Sequence, residues 1–363
     1  MGQGSYLWYI LFPIVLSILA AFLYKSKNGG KVFVIILLFF SMFRGDNVGN
    51  DTKNYLDPHY IYLRSLNVDT DISGESILSL WGERIEFGSA LLNGIVYSLD
   101  LHPRIIVFAY SIITLLFLYY ALKKFKVNSV IALLMYVLIG QYFFSLSAAR
   151  QMAAVSVFLF GLTFLFEQGK RKYLFSLYAV LGTSIHASCI FFIWIYFLRY
   201  LRIKKSVALV LMSVTCALMV ISSINIMDYV YRLFSIEYVQ NYSGFFDSSE
   251  RSLLGRIIDV INFGFLIYVF SLRNHCKECD LRDILFVLAV LLYALFGHSS
   301  LLVARITFYI TIFICVYISQ SIIEARLLKR NSFFILLFCY WLIHIYGLRV
   351  WGDMLTSGYY LMF

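Results

Sequence analysis

The sequence is poor in charged residues and in proline. Only 14% of the 363 residues are charged and three are proline, whereas 61% are apolar. Soluble globular domains have about 25% charged and about 45–50% apolar residues, so this composition excludes a soluble enzyme, a disordered chain and a coiled coil. The class that remains is a polytopic membrane protein, whose apolar runs recur at about 20 residues. With 18% aromatic residues, the pattern favours long helices with aromatic residues at the membrane interfaces over a β-barrel.

The net charge of +10 does not indicate binding to nucleic acid. The basic residues form short clusters between apolar runs and no continuous stripe, which is the pattern that the positive-inside rule predicts. The six cysteines are scattered along the chain. Four of them lie inside apolar runs, where cysteine behaves as a small hydrophobic residue, so no disulfide framework is predicted.

Apolar windows between charged breaks predict an all-α bundle of about twelve membrane-spanning helices. The predicted spans are residues 5–24, 30–43, 103–122, 127–146, 147–166, 172–185, 187–200, 206–222, 255–272, 283–298, 301–322 and 331–348. The short apolar stretch 87–99 contains two glycines and is predicted to be re-entrant or interfacial. Because no repeat or linker divides the chain, residues 1–363 are predicted to form a single integral membrane domain.

The distribution of charge predicts the orientation of this bundle. The loops with 19 Lys/Arg and 5 Asp/Glu are predicted to be cytoplasmic, and they are residues 25–31, 123–126, 167–172, 199–205, 273–283 and 324–330. The rest of the chain holds 11 Lys/Arg and 15 Asp/Glu, so both termini are expected outside the cytoplasm. The two long loops, about 44–86 and 225–254, are then extracytoplasmic and are expected to roof a cavity.

Ionisable residues near the outer ends of the spans are the candidate functional residues, because charges inside a membrane are costly. They are Arg44, Arg150, His186, His298, Arg305 and Arg349. Each also has a structural alternative. The arginines at span ends can extend to lipid phosphates, the histidines can be packing residues, and Asp51 and Thr52 can cap a following helix.

Several cationic groups at one face indicate an anionic ligand. Arginine binds phosphate oxygens with two parallel hydrogen bonds and stays charged at every relevant pH. A lipid diphosphate is the obvious source of a pyrophosphate group at the outer membrane surface. Asp46, Asp51 or Glu86 can accept a proton from a hydroxyl nucleophile, so acid–base chemistry next to an anion site is predicted.

Five short elements, in order along the chain, resemble the EpsG family of Wzy-like polysaccharide polymerases. The elements are Arg44 through Gly49-Asn50-Asp51-Thr52-Lys53-Asn54-Tyr55, Glu86-Phe87-Gly88-Ser89-Ala90-Leu91-Leu92, Ala149-Arg150-Gln151-Met152-Ala153, Ile185-His186-Ala187-Ser188 and Arg305-Ile306-Thr307-Phe308-Tyr309. Two positions depart from the family pattern. Phe87 stands where the family often has proline, and Gly358-Tyr359-Tyr360 replaces an expected Pro-Tyr.

The resemblance implies polymerisation of undecaprenyl-diphosphate-linked oligosaccharide repeat units at the outer face of a bacterial cytoplasmic membrane. It leads us to expect a pyrophosphate site formed by Arg44, Arg150, Gln151 and Arg305. Asp51, Glu86 and His186 are the candidate catalytic residues, and Tyr55 is a candidate for stacking on a sugar. The expected partners are the lipid-linked glycan, the bilayer and a chain-length regulator protein, without nucleic acid.

No cofactor and no metal ion are expected, because no Asp-x-Asp or His/Glu pair at ligand spacing lies in a predicted span. Three other functions remain open from the sequence. A lipid-linked glycan flippase or transporter would favour internal repeats, a glycan ligase would use similar groups on a different acceptor, and a membrane O-acetyltransferase would need a histidine base such as His186.

Overall fold

The protein is helical throughout the part of the chain that the structure describes. The structure, a computed structural model, describes residues 4–45, 48–49, 52–56, 86–167, 170–221, 253–273, 277–296 and 307–324. These residues contain no β-strand, although an isolated antiparallel bridge joins Lys204 to Glu278. The all-α class predicted from the sequence is confirmed.

The α-helices are numbered in chain order. They are α1 (Gly4–Leu23), α2 (Gly29–Met42), α3 (Thr52–Leu56), α4 (Phe87–Ser98), α5 (Arg104–Lys124), α6 (Ser129–Leu138), α7 (Gln141–Ser147), α8 (Ala149–Leu162), α9 (Tyr173–Ile185), α10 (Lys205–Ile221), α11 (Leu253–Ser271), α12 (Leu281–Phe296) and α13 (Phe313–Glu324). Short 3₁₀ helices follow α8 at Thr163–Phe166 and precede α9 at Lys170–Lys172, and a long 3₁₀ helix occupies Ala187–Tyr200.

Helices occupy the predicted spans wherever those spans are described, and span 331–348 lies outside the described residues. Within the described ranges, three helices are long and apolar enough to cross a membrane: Arg104–Lys124, Ala149–Phe166 and Thr307–Glu324. Several other apolar helices are shorter. The protein is therefore an integral membrane protein of helical type, and the number of twelve spans stays a prediction.

The predicted span 127–146 is a bent pair of helices rather than a single helix. Helices α6 and α7 meet at an angle of 67°. Gly140 lies between them with φ +81°, in the left-handed region, which glycine adopts without steric cost and which commonly ends a helix. The apolar run concealed this break, because hydropathy is insensitive to backbone conformation.

By its internal contacts the chain divides into two compact units, Met1–Tyr196 with Gly347–Phe363, and Phe197–Tyr346. In the first unit, helix α8 packs against both α5 and α9. Its side chains Met152, Val155 and Phe158 are completely buried. The single membrane domain expected over residues 1–363 stays a prediction.

Three loops predicted to be cytoplasmic lie at one end of the first unit. The Asn128 side chain caps α6 and donates a hydrogen bond of 2.7 Å to the Tyr24 carbonyl. Lys124 forms an ion pair of 3.0 Å with Glu167. The loops around 25–31, 123–126 and 167–172 therefore share an end, as the distribution of charge predicted.

The corresponding three loops of the second unit also lie together. Arg273 pairs through Nη1 with Asp283 at 3.0 Å and through Nε with Glu324 at 3.0 Å. Lys205 donates a hydrogen bond to the Arg273 carbonyl. The described parts of the loops 199–205 and 273–283 thus share one end of this unit with Glu324, the last residue of α13, although the compartment that this end faces stays a prediction.

The helix Ala187–Tyr200 has a repeat of three residues rather than 3.6. Cys189, Phe192 and Ile195 are buried, whereas Phe191 and Trp194 are exposed. This repeat fits a 3₁₀ helix, which rises about 2.0 Å per residue. Its 14 residues then extend about 28 Å, close to the 30 Å thickness of a hydrocarbon core, whereas an α-helix of that length would extend about 21 Å.

Helix α4 does not cross the first unit to the end where the basic loops lie. Its first turn packs on the end of α9, where Ser89 Oγ donates a hydrogen bond of 2.8 Å to the Ile185 carbonyl. Only residues 99–103 separate α4 from the start of α5, and Arg104 contacts Arg44 at the end of α2. This course is compatible with the re-entrant or interfacial segment predicted for 87–99.

Candidate active site

Glu86 connects the beginnings of three helices in the first unit. It is the N-cap residue of α4. One carboxylate oxygen, Oε1, accepts a hydrogen bond of 2.8 Å from the backbone N–H of Ala187, the first residue of the long 3₁₀ helix. The other oxygen, Oε2, lies 3.2 Å from Nη1 of Arg150, in the first turn of α8. The carboxylate is therefore held by a guanidinium and by the positive end of a helix.

Close backbone packing explains how Glu86 reaches these partners. A Cβ atom on Gly88 would lie 2.8 Å from the Ser184 carbonyl oxygen, so only glycine permits α4 to approach α9 this closely. Ser89 then bonds the Ile185 carbonyl. The Glu86–Ser89 and Ile185–Ser188 elements, which were recognised separately in the sequence, thus dock on each other.

The ion pair between Glu86 and Arg150 is partly shielded. The Arg150 side chain is 27% exposed and the Glu86 side chain 16% exposed. Shielding strengthens the attraction between the two charges, because fewer water molecules screen them. The remaining exposure leaves the guanidinium accessible to a ligand.

His186 lies at the junction of α9 and the 3₁₀ helix, as predicted. Its backbone is extended, with φ −152° and ψ 118°, and it ends α9. Its ring nitrogen Nδ1 lies 2.7 Å from Ser188 Oγ. Since its neighbour Ala187 bonds Glu86, the structure brings together three of the sequence-predicted residues, Glu86, Arg150 and His186.

Tyr110 is a site residue that sequence reasoning missed. It lies on α5, is only 2% exposed, and interacts electrostatically with Arg150, Glu86 and Tyr55. Its hydroxyl pairs with the hydroxyl of Ser89, whose own proton goes to the Ile185 carbonyl. One tyrosine among 28 in the sequence gives no signal of this location.

Tyr55 packs against Tyr110 instead of standing free at the surface. The two ring centroids are 5.7 Å apart, and Tyr55 is 7% exposed. Stacking of a sugar on Tyr55 would require its ring to be uncovered. That role stays a prediction, while the structure shows that the Tyr55 ring packs on the Tyr110 ring.

Arg44 is buried and does not extend to lipid, because its side chain is completely covered. Its Nη1 donates to the Ser41 carbonyl at 2.8 Å, and its Nε donates to Thr52 Oγ1 at 3.3 Å. Its own carbonyl accepts a bond of 2.9 Å from Nη1 of Arg104. These contacts hold the turn between α2 and α3, and pyrophosphate binding by Arg44 stays a prediction.

The turn between α2 and α3 rests on the break between α7 and α8. Gly49 has φ +85°, and a Cβ there would lie 2.1 Å from the Leu146 carbonyl oxygen. Thr52 Oγ1 contacts the Val48 carbonyl at 2.6 Å and the Leu146 carbonyl at 3.3 Å. The glycine and threonine of this motif therefore support the start of α8, which carries Arg150.

The other predicted site residues are only partly described. Gln151 is buried beside Arg150 on α8, and its role stays a prediction. Asp51 and Arg305 lie outside the described residues, as do most of the predicted loops 44–86 and 225–254. Among the residues that are described, no group of three His, Cys, Asp or Glu side chains is placed to hold a metal ion.

The cluster lies at the end of the first unit opposite to the basic loops. Arg150 is in the first turn of the helical stretch Ala149–Phe166, and Glu167, the partner of Lys124, directly follows it. Eighteen residues extend about 27 Å in an α-helix. A carboxylate, a guanidinium, an imidazole and a phenol thus gather at this end, a set that can bind an anion and transfer a proton.

Comparison with known proteins agrees with the motifs. The sequence matches the model of the EpsG family over residues 30–360, a range that includes every element of the resemblance. No curated protein and no solved structure matches the chain significantly. Because the family match extends over nearly the whole chain, the resemblance is confirmed: the protein belongs to the EpsG family, a family of Wzy-like polysaccharide polymerase-type proteins.

Proposed function

We propose that the protein polymerises oligosaccharide repeat units that are linked to undecaprenyl diphosphate. Family membership supports a role in polysaccharide biosynthesis. The observation that carries the finer proposal is the Glu86 carboxylate, bound at once by Arg150 and by the Ala187 N–H. A site that binds a carboxylate in this way has the donors that a phosphate group needs.

The reaction is a glycosyl transfer. The bond between the anomeric carbon of the growing chain and its phosphate oxygen breaks, and the bonding electron pair leaves with the lipid diphosphate. A hydroxyl oxygen on the non-reducing sugar of the incoming unit forms the new bond to that carbon. The hydroxyl proton passes to a base on the protein.

Arg150 stabilises the charge that develops on the departing diphosphate, with Gln151, Arg305 and Arg44 as further candidates. A preorganised cation at a leaving group is among the largest electrostatic contributions to catalysis. Glu86 or Asp51 is the base towards the acceptor hydroxyl, and His186 is an alternative base or a second phosphate contact. Tyr55 is the candidate sugar contact.

The site is proposed to open to the outer face of a bacterial cytoplasmic membrane. The grouping of the basic loops at the opposite end of the first unit supports this orientation, because such loops stay in the cytoplasm. A chain-length regulator is the proposed protein partner. The reaction is proposed to need no metal ion or cofactor, and loss of activity on chelation that a divalent ion restores would contradict this.

The proposal is tested by incubating membranes that contain the protein with undecaprenyl-diphosphate-linked repeat units and separating the products on a gel. We expect a ladder of chains that stay attached to lipid diphosphate, and only single units with membranes that lack the protein. Transfer of finished chains to another acceptor without a ladder would indicate a ligase. Movement of lipid-linked units across the membrane without new bonds would indicate a flippase, and transfer of labelled acetyl to the glycan would indicate an O-acetyltransferase.

A further inference from the structure

Two contacts from the start of α4 hold the backbone on both sides of His186. On one side, Ser89 Oγ donates a hydrogen bond of 2.8 Å to the Ile185 carbonyl. On the other side, Glu86 Oε1 accepts a hydrogen bond of 2.8 Å from the Ala187 N–H. The Ser89 N–H donates to the Glu86 carbonyl, so the two residues belong to one helical turn. The peptide units before and after His186 are therefore both fixed to the same turn of α4.

The backbone and the ring of His186 make further contacts. Its N–H donates to the Gly182 carbonyl at 2.9 Å, and its carbonyl accepts from the Cys189 N–H at 3.1 Å. Its ring nitrogen Nδ1 lies 2.7 Å from Ser188 Oγ. An extended residue between two helices is held in one conformation only at a cost in entropy. These contacts hold a half-buried imidazole in place, as a group that transfers a proton requires.

The Glu86 carboxylate contacts donors through both of its oxygens. Oε1 binds the Ala187 N–H, and Oε2 lies 3.2 Å from Nη1 of Arg150. A carboxylate in this arrangement has to give up one of these contacts in order to accept a proton from a hydroxyl. Glu86 is therefore better placed to hold the chain next to His186 than to act as the base.

We propose that Glu86 and Ser89 are positioning residues that act through His186, and that the His186 imidazole accepts the proton of the acceptor hydroxyl. This inference rests on the proposed function and selects one of the bases that it leaves open. In the transfer, the hydroxyl oxygen bonds to the anomeric carbon, its proton passes to the imidazole, and the bonding electron pair leaves with the lipid diphosphate. Glu86 stays a carboxylate throughout.

Two substitutions of Glu86 separate a positioning role from the role of the base. The kinetic parameters kcat and KM are measured for transfer between lipid-diphosphate-linked repeat units, with the full-length protein in lipid nanodiscs. The amide oxygen of Glu86→Gln can still accept the Ala187 N–H, whereas Glu86→Ala lets the chain at His186 shift. We expect kcat to fall less than about tenfold in Glu86→Gln and about a hundredfold in Glu86→Ala. If Glu86 were the base, both variants would show the same large loss.

The contact on the other side of His186 is tested by Ser89→Ala. Loss of this hydrogen bond is expected to lower kcat about tenfold and to change KM less than about twofold. His186→Ala itself is expected to lower kcat about a hundredfold or more. Adding Ser89→Ala to His186→Ala is expected to cause no further loss, because Ser89 acts through the imidazole. A merely structural role would cost the same factor in both backgrounds.

Ser98→Ala is the matched control for Ser89→Ala. Ser98 is an exposed serine of the same helix, and its hydroxyl donates locally to the Ile95 carbonyl. Its substitution leaves both contacts to the chain around His186 in place. The kcat and KM of Ser98→Ala are expected to equal those of the wild type.

Hydrogen exchange at the Ala187 amide gives a readout that does not depend on activity. Glu86→Ala removes the acceptor of this N–H, so exchange is expected to become about tenfold faster, which corresponds to the loss of one hydrogen bond. Glu86→Gln keeps an acceptor oxygen, and exchange is expected to stay slow. Equal exchange in the wild type and in Glu86→Ala would show that Glu86 does not hold this side of His186.

Three kinetic results would overturn the proposal: equal losses in Glu86→Gln and Glu86→Ala, the same loss from Ser89→Ala with and without His186, or a wild-type kcat in His186→Ala. If His186→Ala makes too little product to measure, the two Glu86 variants decide alone. These results leave the proposed function intact as long as the wild-type protein makes the polymer ladder. If the wild type makes no ladder, the proposed function fails together with the role of His186 as base, and hydrogen exchange still decides whether Glu86 holds the chain.

Discussion

Glu86 and Arg150 lie far apart in the sequence but form an ion pair of 3.2 Å in the folded protein. The pair joins the first turn of α8 to the N-cap of α4, and the same carboxylate binds the N–H of Ala187. The family element that begins at Glu86 and the one that contains Arg150 are therefore in direct contact in the folded protein.

Replacement of Arg150 is expected to abolish long polymer. Arg150→Ala removes the cation next to the proposed leaving group, and loss of one such electrostatic contact costs about a hundredfold in rate or more. Arg150→Lys keeps the charge but not the planar fork, so a partial loss is expected. The measurement is the gel profile of surface glycan at equal protein level.

Arg171→Ala is the matched control, because Arg171 is an exposed arginine of the same unit that lies in a basic loop at the opposite end. It is expected to give the wild-type ladder. Full-length polymer in Arg150→Ala would remove Arg150 from the mechanism.

Two glycines of α4 are expected to respond differently to the same substitution. Gly88→Ala places a Cβ 2.8 Å from the Ser184 carbonyl oxygen, which pushes α4 away from α9 and shifts Glu86, so both thermal stability and polymer yield are expected to fall. A Cβ on residue 94 meets no atom within 4 Å, so Gly94→Ala is expected to stabilise the helix by about 0.5–1 kcal/mol. Similar effects at both positions would contradict this account of the docking of α4.

Ser188 is expected to act by positioning the His186 ring, because Ser188 Oγ lies 2.7 Å from its Nδ1. Ser188→Ala is expected to lower the polymerisation rate about tenfold, the effect of one lost hydrogen bond, and to alter the pH profile of the rate. Ser188→Thr, which keeps the hydroxyl, is expected to restore both.

Ser184→Ala is the control for this position, since Ser184 Oγ donates locally to the Leu181 carbonyl. It is expected to leave the pH profile unchanged. A Ser188→Ala enzyme with the wild-type rate and profile would mean that the ring is positioned by other contacts.

The three-residue repeat of buried side chains in the 3₁₀ helix is tested by replacing two adjacent phenylalanines with alanine. Phe192 is 6% exposed and Phe191 is 67% exposed. Phe192→Ala is expected to destabilise the protein by about 3 kcal/mol, whereas Phe191→Ala is expected to cost less than about 1 kcal/mol. Unfolding titrations in mixed micelles measure the difference, and equal losses would contradict the observed packing.

The proposed orientation is tested with single cysteines at two exposed serines, Ser26 and Ser98. A membrane-impermeant maleimide is expected to label Ser98→Cys in intact spheroplasts, and Ser26→Cys only after permeabilisation. Labelling of Ser26→Cys in intact spheroplasts would show that the protein has the opposite orientation in the membrane.

The native cysteines are expected to give little background in this experiment. Cys189, Cys216, Cys279 and Cys315 are buried. Burial also raises the pKa of the Cys279 thiol to about 11, so at neutral pH the reactive thiolate is scarce and becomes common only as the pH approaches that value. Cys276 and Cys339, which lie outside the described residues, are replaced by serine in the parent protein.

Much of the fold followed from local sequence properties. Apolar runs bounded by charged loops predicted the all-α class and the positions of the helices, and the clusters around Lys124 and Arg273 predicted which loops lie together. The bend at Gly140 and the 3₁₀ geometry of Ala187–Tyr200 were not predicted. Both depend on backbone angles, to which an average over hydrophobic side chains is insensitive.

The amino-acid sequence was sufficient for the membrane class and the family. It also identified Arg150 and His186 as candidates, because burying charge in an apolar chain is costly enough to be conspicuous, and Glu86 as a nearby carboxylate in a family element. The folded arrangement was needed to show that the Glu86 carboxylate bridges Arg150 and Ala187, that Arg44 is covered, and that Tyr110 interacts with Arg150 and Glu86. The physical reason is that these contacts depend on how closely helices distant in sequence pack, which a single glycine such as Gly88 permits and which no local pattern records.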